Sequence, residues 1–582
     1  MKQFLKFTFA SCLGFFLSSV IVFFLSAFLV WGCVLAVSSE KTEVKDNSIL
    51  HICLNGVLVE RSKENPFYSY FSENSEEIAL SDVLSAIKMA KTDDKIRGIY
   101  LEAGVLSSGN ASIEEIRGAL RDFKSSGKFV VAYGGMFSQN VYYLTTVADK
   151  IFINPSGSID LRGLAATPVF FKNIFEKLGI KIQIAKVGEY KGATETYSRS
   201  EMSTENKEQT MALLHSTWDN VSLGIATDRK ISKEKINAYA EESMFFQPPT
   251  KYVQYGLVDG LFYKDQFWHF LEQKVGKSFD EEKSLISLAD YVSSGENVKK
   301  SRNKIAVIYA VGGIDDGGSD GIDSEELAKT LADARKDKDI KAVVLRVNSP
   351  GGSAYGAEQI WREAFLYKKV KPLIVSMGDY AASGGYYIAC TADSIVCQPS
   401  TITGSIGIFG VIPDFSGLTQ KIGVDFDVQK TYAKSDFPTV IREMTPEEKQ
   451  LMQLYVERGY DLFVKRCASG RSMSEDSIRV LARGRVWSGK DAVRNGLADK
   501  IGGLEDALKI AANKAKVKDY EVVSLPKQEN FFMQLFEDSF ETVETRMRSN
   551  FPVNEYKMIK KLSEQNFKTL IQARIEQETH IW

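Results

Sequence analysis

Met377-Gly-Asp-Tyr-Ala-Ala-Ser-Gly-Gly-Tyr-Tyr387 has a degenerate copy 244 residues upstream, Tyr133-Gly-Gly-Met-Phe-Ser-Gln-Asn-Val-Tyr-Tyr143. Superposing Tyr142-Tyr143 on Tyr386-Tyr387 also superposes Ala148-Asp149 on Ala392-Asp393 and Pro155-Ser156 on Pro399-Ser400, and it sets Gln139 opposite Ser383. One copy carries a serine among small residues; the other cannot do that chemistry. The repeat continues outward, because Lys95-Ile-Arg-Gly-Ile-Tyr-Leu101 lies at the same offset from Asp339-Ile-Lys-Ala-Val-Val-Leu345. A period this long exceeds the roughly 20 to 50 residues of solenoids and propellers, so it marks a duplicated globular domain.

Each copy alternates short apolar runs with helical patterns. In the second, Ile305-Ala-Val-Ile-Tyr309 leads to a helix over 325–335, then Ala342-Val-Val-Leu345, a helix over 358–367, Leu373-Ile-Val-Ser376 and a small-residue turn into a helix. The first repeats that order over 49–54, 81–90, 98–101, 113–124 and 129–132. Such runs predict βαβ units around buried parallel sheets, an α/β fold. The polar stretch Val292-Ser-Ser-Gly-Glu-Asn-Val-Lys-Lys-Ser-Arg-Asn303 reads as a flexible linker. The expected organisation is an anchor over 1–46, a first repeat over 47–296, a linker over 297–303, a second repeat over 304–525 and a helical tail over 526–582.

No charged residue occurs between Phe7 and Ser39. A helix of that length, at about 1.5 Å per residue, exceeds a hydrocarbon core of about 30 Å. It is also longer than the apolar region of a cleavable signal peptide, so it predicts a retained transmembrane helix. Lys2 and Lys6 precede the span, whereas residues 40–46 are mixed in sign, so the positive-inside rule keeps the N-terminus cytoplasmic. The body is then expected on the periplasmic side of a bacterial inner membrane. With 73 basic and 75 acidic residues the charge is balanced, and no basic patch with interleaved aromatics argues for nucleic acid. Of six cysteines, Cys12 and Cys33 lie in the expected anchor, and Cys53, Cys390, Cys397 and Cys467 show no CxxC spacing, so no metal site is expected, no cofactor is implied, and buried free thiols are favoured over a Cys390–Cys397 pair.

Only four histidines occur, His51, His215, His269 and His580, none beside the glycine-rich motifs, which leaves a Ser-His-Asp triad short of material. A serine still needs a base, and a lysine kept neutral by desolvation can supply one. Ser383, following an apolar strand and preceding Gly384-Gly385, is expected at a helix start with backbone N–H groups aimed at a developing oxyanion. Asn348-Ser-Pro-Gly-Gly-Ser353 follows the neighbouring strand at its carboxyl end, where its glycines offer a second N–H. The first copy has Gly104-Val-Leu-Ser-Ser-Gly-Asn110 there, without Pro-Gly-Gly. For the base, Val187-Gly-Glu-Tyr-Lys-Gly-Ala193 aligns with Thr431-Tyr-Ala-Lys-Ser435, and spacing does not choose between Lys191 and Lys434.

Gly378-Asp-Tyr-Ala-Ala-Ser-Gly-Gly-Tyr386, Ser349-Pro-Gly-Gly-Ser353, Thr403-Gly-Ser-Ile-Gly-Ile-Phe-Gly410 and Gly188-Glu-Tyr-Lys-Gly192 resemble the signatures of the signal peptide peptidase A (protease IV) family in its long, duplicated bacterial form. The resemblance runs from about residue 47 to 525, plus the anchor. It implies two tandem ClpP/crotonase-type domains, with the serine drawn from the second half and the lysine from the first. Carried over, Ser383 is the nucleophile, Lys191 the general base and Ser405 the residue that orients the lysine, while the N–H groups of Gly352 and Gly384 form the oxyanion hole. Lys434 departs from the family's glycine-containing pattern. The resemblance further implies a homotetramer over the membrane that degrades remnant signal peptides and other apolar peptides. Two other classes are weighed against it. An acyl-CoA-processing crotonase-like enzyme is disfavoured by the predicted export, and a non-catalytic scaffold by the intact serine, lysine and glycine loops.

Overall fold

The computed structural model describes scattered residues between 3 and 25, then 44–61, 77–276, 281–295, 300–315, 321–526 and 571–574. Two parallel sheets carry the two halves. The first is seven-stranded, with Glu77–Ala79, Ser48–Val59, Ile96–Ser107, Phe129–Phe137, Lys150–Ile159 and Gly260–Leu261 in that order and Leu285–Ser287 added beside Ser48–Val59. The second is eight-stranded. Its main path runs Val486–Ser488, Ile402–Gly404, Leu373–Ala382, Ile340–Ser349, Lys304–Val311 and Glu521–Leu525. Among the described residues only the pair formed by Val486–Ser488 and Ile402–Gly404 is antiparallel there.

The apolar runs form strands because both faces of each sheet are covered. Ala306, Ile308, Val343 and Leu345 pack into one core and Ile305, Val307, Ala342 and Val344 into another on the opposite face. Helix Ser324–Lys336 starts where Asp323 accepts hydrogen bonds from the Glu325 and Glu326 N–H groups, and it buries Leu327, Leu331 and Ala334 along one stripe. Each fully buried aliphatic side chain of this kind stabilises the fold by about 1.5–3 kcal/mol.

The duplication survives in detail. Tyr142 Oη donates to the Leu257 carbonyl at 2.9 Å, and Tyr386 Oη to the Leu497 carbonyl at 3.0 Å. Asp259 accepts from the Ile151 N–H and pairs with Arg229, as Asp499 accepts from the Ile395 N–H and pairs with Arg471.

A third, six-stranded sheet joins the halves. Its order is Gly321–Ile322, Gly313–Ile314, Gly351–Ser353, Ile571–Arg574, Phe409–Asp414 and Lys181–Lys186. Lys181–Lys186, from the first half, pairs antiparallel along its whole length with Phe409–Asp414 of the second. Beneath it the halves share buried charge. The Arg346 guanidinium meets Glu60 at 2.9 Å and Glu115 at 2.9 Å, and Asp379 accepts from the Ser112 backbone and hydroxyl at 2.9 and 2.5 Å. Helix Asn110–Lys124 supplies both Glu115 and Ser112.

Three expectations meet differences. The described part of the linker is fastened, since the Asn303 carbonyl accepts from the Glu521 N–H and the Asn303 side chain donates to the Asp519 carbonyl. The described residues of the tail form the strand Ile571–Arg574 and no helix, because two open strand edges flank them and edge pairing overrides local propensity. Cys53 is exposed, whereas Cys390, Cys397 and Cys467 are buried free thiols. Among the described residues no helix is long and apolar enough to cross a membrane, and most of 7–39 lies outside them.

Candidate active site

Strand Leu373–Ala382 ends at Ser383, which is fully buried and takes φ 55° and ψ −115° before helix Gly384–Ala389 begins. A non-glycine residue at positive φ costs about 1–3 kcal/mol and persists where its surroundings enforce it. Here the Ser383 N–H donates to the Gly404 carbonyl at 2.8 Å, pinning the turn to the neighbouring strand. Gly385 is required by close approach, since a Cβ there would stand 2.6 Å from the Ser349 carbonyl oxygen.

Lys191 arrives from the other half. Strand Lys181–Lys186 delivers the chain to Val187, whose N–H donates to the Ile408 carbonyl at 3.1 Å, and Gly188 at φ 99° turns it inward. The Tyr190 N–H then donates to the Arg483 carbonyl at 3.0 Å. Gly484 permits this docking, because a Cβ on it would lie 2.7 Å from the Lys191 backbone nitrogen.

The result is a lysine only 1% exposed, with Nζ 2.7 Å from Ser383 Oγ, 3.0 Å from Ser405 Oγ and 3.2 Å from the Ser405 carbonyl oxygen. Ser405 Oγ in turn donates to the Gly484 carbonyl at 3.3 Å, which leaves its lone pairs facing the lysine. Among the described residues no carboxylate bonds to Lys191, so burial alone acts on it and pushes its pKa down to about 7. An amine with that pKa is substantially neutral near pH 7 and can accept a proton.

Lys434 lies elsewhere, at the surface. It pairs with Glu447 at 2.9 Å, and that hydrogen bond raises its pKa, the opposite of what a base needs. Gly352 sits in the buried strand Gly351–Ser353, which packs against the helix beginning at Gly384. A Cβ at Gly352 would overlap the Ile314 carbonyl oxygen. Two of the histidines pair with carboxylates, His51 with Glu102 at 2.7 Å and His269 with Glu272 at 3.0 Å; His215 is exposed on helix Thr204–Arg229, and His580 lies outside the described residues.

In the first half, Gln139 takes the position opposite Ser383. Its amide donates to the Gly163 carbonyl and accepts from the Arg162 and Gly163 N–H groups, at 3.0, 3.1 and 3.0 Å. A hydrogen-bonded plug thus stands where the second half has a hydroxyl and an amine.

One set of residues near the site escaped the sequence reading. Gln209, buried on helix Thr204–Arg229, donates to the Tyr190 carbonyl at 2.9 Å and accepts from the Val486 N–H at 3.2 Å. It thereby clips the lysine-bearing turn to the strand beside Ser405. Asn206 holds Gln209 at 2.9 Å and is itself held by Glu195 at 3.1 Å. Thr204-Glu-Asn-Lys-Glu-Gln209 reads as a solvated helical face, and nothing in that run signals burial.

The sequence pattern of peptidase family S49 matches this chain twice, over residues 122–277 and 366–518. Protease 4 of Haemophilus influenzae is 36% identical over 509 residues, covering 84% of this chain and 83% of that protein. Protease 4 of Salmonella typhi is 35% identical over 504 residues, covering 83% and 81%. The chloroplastic serine protease SPPA of Arabidopsis thaliana is 32% identical over 499 residues, covering 83% and 71%. Matched in both of its halves and similar to these relatives over most of its length, the chain belongs to peptidase family S49.

Proposed function

We propose that this S49 peptidase is a membrane-anchored serine endopeptidase with a Ser383–Lys191 dyad, acting on remnant signal peptides and other apolar peptides at the bacterial inner membrane. The observation that carries this reading is the 2.7 Å approach of a buried, carboxylate-free amine to the serine hydroxyl. Neutral Lys191 donates its two N–H groups to the Ser405 carbonyl and hydroxyl oxygens, which leaves its lone pair for the Ser383 proton. Ser383 Oγ then attacks the scissile carbonyl, and the Gly352 and Gly384 N–H groups stabilise the oxyanion. The lysine returns the proton to the leaving amine, and water hydrolyses the acyl-enzyme by the same route.

The anchor reading rests on the uncharged stretch 7–39 and on its described side chains, since Phe7, Phe15, Phe16 and Leu25 are all at least 64% exposed. Water penalises such a surface, and lipid does not. An anchored site meets apolar peptides where they collect. In this reading the two parallel-sheet halves are tandem ClpP/crotonase-type domains, four chains assemble as a homotetramer and the catalytic body lies on the periplasmic side. The test is cleavage of a fluorogenic apolar peptide by the full chain. Wild type should cleave it and Ser383→Ala should not; equal rates would refute the assignment.

A further inference from the structure

The strand that carries Ser383 and the strand that leads to the glycine loop do not stay in register. Val343 to Val347 pair one to one with Leu373 to Met377, and then Ser349 pairs with Ala381. Asn348 therefore stands opposite three residues, Gly378, Asp379 and Tyr380, which form a bulge on the serine strand. Immediately past the bulge, one strand ends at Ser383 and the other opens into Ser349-Pro-Gly-Gly352. The bulge thus sets the stagger between the hydroxyl and the glycine loop.

Side chains hold the bulge, two of them from the first half. Where the backbone ladder lapses, Asn348 Oδ1 accepts from the Tyr380 N–H at 3.0 Å, and Asn348 Nδ2 donates to Glu60 Oε1 at 2.9 Å. Glu60 follows strand Ser48–Val59, is only 7% exposed, and accepts from Arg346 Nε and Nη2 at 2.9 and 3.1 Å. Gly378 makes room for it, since a Cβ there would lie 2.6 Å from Glu60 Oε1. Asp379 is tied to the Ser112 hydroxyl of the first half, and the Gly378 carbonyl accepts from Thr401 Oγ1 at 2.9 Å. In the degenerate half, Ile96–Ser107 and Phe129–Phe137 pair without a shift from Gly98 opposite Phe129 to Ala103 opposite Gly134, and Gly104 occupies the place of Asn348. Such a sheet forms without the asparagine, which is missing where the serine is missing.

We propose that Asn348, braced by Glu60 of the first half, is the positioning residue of the oxyanion loop. The proposal rests on the dyad and oxyanion reading above and deepens it: the first half supplies the base and also the support that keeps the Gly352 N–H aligned with Ser383. Asn348 itself touches no reacting atom. A loop that slips along the serine strand misplaces a donor aimed at the developing oxyanion, so the loss falls on the transition state and not on ground-state binding. Truncating Asn348 should lower kcat about 10- to 100-fold, less than the roughly 10²–10³-fold of deleting an oxyanion donor outright.

The test measures kcat and KM on an apolar peptide, together with the affinity of a peptide aldehyde that adds to Ser383 Oγ as a hemiacetal. The full chain is compared as wild type, Ser383→Ala, Asn348→Ala, Asn348→Asp and the double variant Asn348→Asp/Glu60→Gln. Asn348→Ala should lower kcat and aldehyde affinity by the same factor, with KM little changed and the acid limb set by Lys191 unmoved. Asn348→Asp loses the donor to Glu60 and should fall likewise. Adding Glu60→Gln rebuilds that hydrogen bond with donor and acceptor exchanged, and should recover most of the loss. This pair decides the matter if Asn348→Ala does not fold. With Ser383→Ala inactive, an unchanged kcat, a loss confined to KM, or a double variant no better than Asn348→Asp overturns the positioning role and leaves the dyad standing. Wild-type turnover by Ser383→Ala overturns the dyad reading and this proposal with it.

Discussion

Lys191 Nζ lies 2.7 Å from Ser383 Oγ although 192 residues separate them along the chain and each comes from a different half. The Lys181–Lys186 strand, paired to Phe409–Asp414, is what closes that distance. If the dyad is the catalytic pair, Lys191→Ala lowers turnover of an apolar peptide by about 10⁴–10⁶-fold, as removal of a nucleophile or its base does elsewhere. Lys434→Ala stays within roughly two-fold of wild type, because an exposed ion pair contributes little. A reversed pattern in steady-state kinetics would place the base in the second half.

In the proposed dyad Ser405 acts through the lysine, whose Nζ it meets at 3.0 Å. Ser405→Ala removes one of the two acceptors that fix the amine, a neutral hydrogen bond of about 1 kcal/mol, and should lower kcat roughly five- to ten-fold with KM little changed. A selective rise in KM would instead assign Ser405 to peptide binding.

Gln209 is expected to matter although it touches neither reacting atom. Gln209→Ala strands the Tyr190 carbonyl and the Val486 N–H in a buried site, a cost of about 1–3 kcal/mol. The loosened turn admits water to the lysine, so the acid limb of kcat/KM should move to higher pH. Gln209→Glu keeps the acceptor for Val486 and loses the donor for Tyr190, and should fall between. An unmoved limb in both variants would make Gln209 a packing residue only.

The seam between the halves should weaken as pH rises. Burial pushes Glu114 up to about 7, against hydrogen bonds from Ser400 and Asn220 that act the other way. An unfolded glutamate titrates near 4.3, so between about pH 4.3 and 7 the folded chain holds a proton that the unfolded chain has released. The stability from this group is complete below that window and is lost through it. Urea midpoints from pH 5 to 8 should fall, and Glu114→Gln should flatten the slope. Lys191, depressed to about 7, works in the opposite sense from there upward, adding stability as pH rises toward its unfolded value.

The sequence carried the parallel α/β halves and the resemblance to the signal peptide peptidase A family, because runs such as Ile305–Tyr309 are apolar throughout and motifs such as Thr403-Gly-Ser-Ile-Gly-Ile-Phe-Gly410 are local. Gln139 opposite Ser383 was likewise readable, since a gapless repeat keeps register. The choice between Lys191 and Lys434 was open on spacing alone, because burial and not position separates them, and burial is a property of the assembled sheet. Gln209 was illegible because its neighbours in sequence look solvated, and the Arg346–Glu60–Glu115 cluster because its members lie far apart in the chain and meet only where the two halves pack. Ile571–Arg574 reads as part of a helical stretch, and only the flanking edges of Gly351–Ser353 and Phe409–Asp414 make it a strand.

The central claim is that an uncharged amine from one half activates a hydroxyl from the other. Its most direct measurement is the pH dependence of Ser383 labelling by an activated serine-directed probe, read by mass spectrometry on the full chain. The account requires a labelling rate that rises through a midpoint near pH 7, in step with deprotonation of Lys191, and that collapses in Lys191→Ala at every pH. Labelling that persists in Lys191→Ala with the wild-type midpoint would contradict it.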